Sequence, residues 1–271
     1  VKSRQHQASS RVAGRRGLSY LAFGAIVVVY LAIIQFGSRA IAGWADESDV
    51  LTTRGVVFTM VVPLGIALLF TYGVVLALGW WRPVLEDDRP VGRWVWVVPG
   101  ILLVAVLLGT DYSALADKGW LFVITLLIAT QLVGWGEEGM FRGIGVTTLR
   151  NHGLHEGQVA LWSSLIFGAV HLTNALGRGA SAIPQAIIVS LAGYFFYLTR
   201  RVSRGNVLNS VLHGLFDFAL LSGTAVLLDP HNYLGVVAPI LVYPVLALVL
   251  LVRRHKIEPS HRGEGMIAAL E

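Results

Sequence analysis

The sequence predicts an all-α, polytopic membrane protein with about eight transmembrane helices, and three observations predict it. The 271 residues are 55% hydrophobic and only 14% charged, with a mean hydropathy of +0.67, too apolar for an ordinary soluble domain of this length. Eight apolar stretches approach the roughly 20 residues that cross ~30 Å of hydrocarbon as a helix. Lysine and arginine gather in alternate connections, as expected when short basic loops stay on the cytoplasmic side.

The expected spans are 18–36, 55–80, 94–110, 119–135, 157–175, 181–199, 206–228 and 233–252. The first, "LSYLAFGAIVVVYLAIIQF", is longer than a secretory h-region. No small-x-small cleavage site follows it cleanly before the acidic "ADESD", so it reads as a true span. "RPVLEDDRPVGR", residues 82–93, carries both charge signs and two prolines, which suits a short connection between the second and third spans. "GSRAIAGWADESD", residues 37–49, does the same on the opposite side.

With the N-terminus inside, the cytoplasmic connections and tails hold Lys2, Arg4, Arg82, Arg89, Arg93, Arg150, Arg200, Arg201, Arg204, Arg253 and Arg254 among others. The opposite side receives Arg39, Arg54, Lys118 and Arg178. Residues 1–17 then read as a basic cytoplasmic tail, 18–255 as one transmembrane domain with a polar site in 131–218, and 256–271 as a cytoplasmic tail. The expected location is a bacterial cytoplasmic membrane with both termini inside and membrane lipid as the surrounding partner. The pI near 9.7 follows from this topology and implies no nucleic-acid partner. The absence of cysteine removes disulfides, thiolate metal sites and a cysteine nucleophile together.

Ionisable groups cost roughly 2.5–3.5 kcal/mol each at the centre of a membrane helix, so their positions are informative. Within or at the edge of the spans they are Glu137, Glu138, Arg142, His171, His213 and Asp217, all in the second half of the chain. The first three spans carry none in their interiors. "GEEGMFRG", 136–143, follows an uncharged run of sixteen residues. Glu138 and Arg142 are four apart and share a helix face, where they can pair. Glu137 points about 100° away and is left without that partner, in the position a general base would occupy. "SSLIFGAVHLTN", 163–174, sets His171 between Phe167 and Asn174. "NSVLHGLFDF", 209–218, repeats the four-residue spacing with His213 and Asp217, which suits metal ligation, hydrogen-bond donation or an orienting pair. A bundle that buries these groups must bring them together or leave several unpaired. Brought together, they make a kit for activating water and stabilising an oxyanion.

The ordered set "EEGMFR" at 137–142, "FGAVH" at 167–171 and "HGLFD" at 213–217 resembles the family of CAAX prenyl proteases and bacteriocin-processing enzymes, the CPBP or Abi family. Its pattern is EExxxR, then FxxxH, then HxxxN or HxxxD. The resemblance covers about the second half of the chain; residues 1–118 match only in being membrane spans. It implies an eight-helix intramembrane endopeptidase with a site open toward the cytoplasm and a peptide or lipidated protein as substrate. Water would be activated by Glu137 and His171, with His213 and Asp217 stabilising an oxyanion or binding metal, and with Glu138 and Arg142 holding the site together.

Asp217 stands where the prenyl protease branch usually has asparagine. An ionised aspartate donates no hydrogen bond, so it is protonated, ligates a cation or orients His213. Zinc or another divalent metal held by Glu137, His171, His213 and Asp217 is one expectation and a metal-free glutamate mechanism the other; no HExxH helix is present. Two competing functions remain beside the protease: a non-catalytic membrane scaffold or immunity protein, and a proton- or cation-coupled transporter. Paired broken helices of the transporter kind are not visible in the sequence.

Overall fold

The computed structural model describes residues 17–47, 49–225, 235 and 237–258, and among these every regular element is helical. Two long helices come first, α1 (Tyr20–Trp44) and α2 (Thr53–Leu78). A short helix, Trp81–Leu85, leads to α3 (Arg93–Gly109), which meets α4 (Tyr112–Lys118) at a 57° bend. The motif-bearing half comprises α5 (Trp120–Asn151), α6 (Glu156–Gly177), α7 (Gly179–Val202) and α8 (Val207–Gly223), and α9 (Val237–Lys256) closes the described chain.

Local signals set the ends of these helices. The hydroxyl of Ser19 accepts from the backbone N–H of Ala22 at the start of α1, and the carboxylate of Asp111 accepts from Ala114 at the start of α4, each satisfying a donor that the first turn leaves open. α2 stops at Gly79, whose φ of 66° is the left-handed conformation that glycine adopts without penalty.

Among the described residues six helices are long and apolar enough to cross a membrane, and seven if α3 and α4 count as one bent span. The expectation of eight is therefore not confirmed. The expected seventh span reaches only Val207–Gly223 as a described helix, and the rest of 206–228 runs into residues 226–234, outside the described residues. The expected fourth span, 119–135, is corrected more strongly, because α5 continues without a break to Asn151. Its continuity passes through a π-helical stretch, Glu138–Gly145, in which the wider turn keeps the backbone hydrogen-bonded through "EGMFRGIG", beyond the expected end of the span.

The side chains are arranged for a lipid surround. Large apolar residues such as Leu21, Leu69, Leu108, Trp120, Leu248 and Val252 point outward, while Glu138, Arg142, Asn209 and Arg200 are buried. α6 packs along α7, and α8 packs along α5. The second contact is backbone on backbone: a side chain at Gly134 would run into Ser210 O and Gly214 N, and one at Gly214 into Thr130 O. Small residues are what allow membrane helices to approach this closely. Two apolar clusters flank the result. One gathers Phe23, Tyr30, Met140, Phe141 and Phe167; the other gathers Val98, Phe195, Phe196, Leu212 and Leu246.

The basic connections meet at one end of the bundle. Arg200 of α7 is wholly buried there; it donates to Asp87 at 2.8 Å and to the carbonyls of Pro83, Val84 and Glu86. Arg150, from the end of α5, bridges Asp87 and Glu156, and Arg201 holds Glu258 with two hydrogen bonds. Burial alone would raise the Asp87 carboxyl, but the guanidiniums of Arg200 and Arg150 hold it below the ordinary carboxylate value. At the other end Lys118 donates to Leu51 O and Arg54 lies near Glu47.

Candidate active site

Glu137 and Glu138 lie near the middle of α5. Glu137 is thirteen residues before Arg150, about 20 Å at 1.5 Å per residue. With its span expected to end at 135, "GEEGMFRG" would follow that end; the carboxylates lie instead well inside a continuous helix.

Glu138 is the buried centre of a four-residue cluster. Its Oε1 is 3.1 Å from Nη1 of Arg142, the pair expected from their spacing, and 2.8 Å from Nδ1 of His213. Its Oε2 accepts from the side-chain amide of Asn209. The guanidinium of Arg142 lies 3.8 Å from the ring centre of Phe167 and 5.7 Å from that of Phe196. None of its nitrogens makes a well-angled hydrogen bond within the described protein, so the ion pair and the two ring faces are its compensation for burial.

His213 joins this cluster to the remaining two carboxylates. A carboxylate oxygen only accepts, so Nδ1 carries the proton donated to Glu138. Its Nε2 faces Asp217 at 3.5 Å and Glu137 at 3.8 Å. The ring is fixed between the two apolar clusters, stacked on Phe196 at 4.4 Å and edge-on to Phe167 at 6.0 Å. Glu137, expected to lack a counter-charge, thus has an imidazole beside it. Its side chain keeps 16% exposure while that of Glu138 has none.

His171 ends the long α-helical part of α6. Its Nδ1 bonds the carbonyl of Phe167 at 2.8 Å; since a carbonyl only accepts, Nδ1 bears hydrogen and Nε2 is left for another partner. His171 and Glu137 line one small pocket of about 80 Å³, together with Tyr30 and Gln35 of α1, Phe141 of α5 and Asn174. Gln35 Nε2 donates to Thr173 Oγ1 at 3.2 Å and to Asn174 Oδ1 at 3.0 Å. Asn174 in turn donates to Gln185 of α7 at 3.2 Å.

All six residues picked from the sequence therefore fall in one region, in two layers. Glu138, Arg142 and His213 form the buried inner layer, with the more exposed Asp217 beside His213. Glu137 and His171 face the pocket. Sequence reasoning missed Asn209, Tyr30 and Gln35. Asn209 had a signal, since it is four residues before His213 on the same face of α8. Gln35 is the lone amide in the apolar first span, and Tyr30 carries no signal apart from its hydroxyl.

Among the described residues no group of three His, Asp or Glu is arranged so that it could hold a metal ion. Glu137, His171, His213 and Asp217 as they stand do not make such a group.

Residues 119–219 match the family model for Rce1-like proteins, described as type II CAAX prenyl endopeptidase Rce1-like. Over this stretch the chain is similar to CAAX prenyl endopeptidases. The match supports the family resemblance carried by the three motifs, and with it an intramembrane endopeptidase. It runs from the start of α5 into α8 and includes all six residues picked from the sequence, but neither Tyr30 nor Gln35. No curated protein matches the chain, and no solved structure does.

Proposed function

We propose that the chain is an intramembrane endopeptidase that hydrolyses a peptide bond in a membrane-associated or lipidated protein, with a water activated by Glu137. The observation that carries this reading is the shared pocket of Glu137 and His171, backed by the buried Glu138–His213–Arg142 cluster. Glu137 is the one carboxylate of the α5 pair with access to that pocket, so it is the one able to take a proton from an attacking water. Nε2 of His171 is free to orient that water. As water adds to the peptide carbonyl carbon, the carbonyl oxygen gains negative charge and His213 Nε2–H is the nearby donor able to meet it. The C–N bond then breaks, and the proton held by Glu137 passes to the leaving nitrogen. Asp217, 3.5 Å from His213, orients the imidazole and supports its positive charge. The end carrying Arg82, Arg89, Arg150, Arg200 and Arg254 faces the cytoplasm, by the positive-inside rule.

The test is cleavage of a quenched fluorescent peptide, prenylated and unprenylated, by the purified protein, with and without a strong chelator. Glu137→Gln is expected to lower turnover by about 10²–10⁴-fold, the range of a lost general base, with thermal unfolding little changed because the side chain is partly exposed. Cleavage that survives Glu137→Gln would sink the assignment. Failure to cleave either peptide would favour the scaffold or transporter functions.

A further inference from the structure

Gln35 is the polar side chain that the first helix sends into the pocket, and the backbone explains how it arrives there. α1 contains a π-helical turn, Ile33–Gly37. A π turn bonds residues five apart and carries more residues per turn than an α turn. Gln35 in this turn and Tyr30, five residues earlier in the α-helical part, both line the pocket that holds Glu137 and His171. The amide of Gln35 is spent on the two residues that follow the histidine motif: its NH2 reaches Thr173 and Asn174, which leaves its carbonyl oxygen for an incoming donor. At about 80 Å³ the pocket has room for water and is smaller than the pockets that enclose larger ligands. A stretch of peptide lying beside Glu137 and His171 would enter between α1 and the turn at His171–Asn174, where the bonds of Gln35 lie.

We propose that Gln35 is a substrate-positioning residue: its carboxamide exchanges its bonds to Thr173 and Asn174 for hydrogen bonds to the main chain of the substrate and holds it extended beside Glu137 and His171. The chemistry matches, because a carboxamide offers one acceptor and an NH2 donor, the same pair that a peptide unit presents, and extended peptides are commonly held through their main chain. This rests on the endopeptidase reading above and adds to it a residue outside the three motifs.

The test is a thermodynamic cycle in detergent. The prenylated fluorescent peptide and a series N-methylated at successive backbone nitrogens are titrated by anisotropy against the Glu137→Ala protein and the Glu137→Ala, Gln35→Leu protein. Gln35→Leu is expected to weaken the unmodified peptide about tenfold, the scale of one or two neutral hydrogen bonds. One N-methyl position should weaken binding by a similar factor when Gln35 is present and have no effect when it is leucine. A merely structural role for Gln35 moves the unfolding temperature and gives additive losses at every N-methyl position, which overturns the proposal, as does unchanged affinity or no binding in either protein. The endopeptidase reading fails by a different result, a peptide that the wild-type protein binds and leaves uncut.

Discussion

At the scale of single residues, the two adjacent glutamates have opposite situations, and their substitutions should separate. Glu138 has no exposed side-chain surface and contacts Arg142, His213 and Asn209. Removing it strands a fully buried guanidinium, and breaking a buried ion pair from one side typically costs about 3–5 kcal/mol. Glu138→Ala is therefore expected to lower the unfolding temperature in detergent strongly and to lose activity through misfolding. Glu137→Gln should lose activity in a folded protein. Equal thermal stability of the two variants would contradict the layered site. Which carboxylate was which could be half-read from the sequence: the four-residue spacing paired Glu138 with Arg142. The place of His213 beside both glutamates could not be read, because it depends on how α8 lies against α5.

At the scale of elements, that contact is where the site is made. Gly134 and Gly214 let the backbones of α5 and α8 approach until Asn209 and His213 reach Glu138. Gly134→Leu, which alters no polar group of the site, is expected to force the helices apart and abolish activity. The readout is a loss of the folded monomer on size exclusion together with loss of peptide cleavage. Retention of both would show that the close approach is dispensable. The helices themselves were legible in order and approximate place, since runs of about 20 apolar residues announce themselves. Their continuity was not. The charged "GEEGMFRG" looked like the end of a span, because hydropathy registers the cost of burying a charge and is blind to the partners that compensate it. Nor do the π turns in α1 and α5 leave a mark in a pattern built on 3.6 residues per turn.

At the scale of the whole molecule, the basic end acts as a clasp. Asp87 receives Arg200 and Arg150 from two different helices, and the connection 86–92 is further bound by Asp87 N–H to Arg204 O and Gly92 N–H to Ile257 O. The carboxyl of Asp87 is held below its ordinary value, so its folded form binds a proton less readily than the unfolded chain. The stability it contributes is fully present above the ordinary aspartate value of 3.8 and is lost as pH falls below it toward the folded value. Unfolding temperature in detergent should fall through that acid range in the wild-type protein. Asp87→Asn should be less stable at neutral pH, with a shallower acid dependence. Parallel pH curves for the two proteins would assign the acid loss to other groups. The charge asymmetry that predicted this gathering was legible in the sequence. The ion-pair wiring was not, since it joins residues as far as 113 positions apart.

The small pocket has one more implication. One of its walls, Tyr30 and Gln35 with Leu31 and Ile34, belongs to α1, whereas the three motifs and the stretch similar to CAAX endopeptidases lie within residues 119–219. That recognisable stretch is thus no portable module. Grafted onto other membrane spans, residues 119–219 would carry all six motif side chains yet present Glu137 and His171 to lipid where α1 now stands, with no enclosure to hold a water between them.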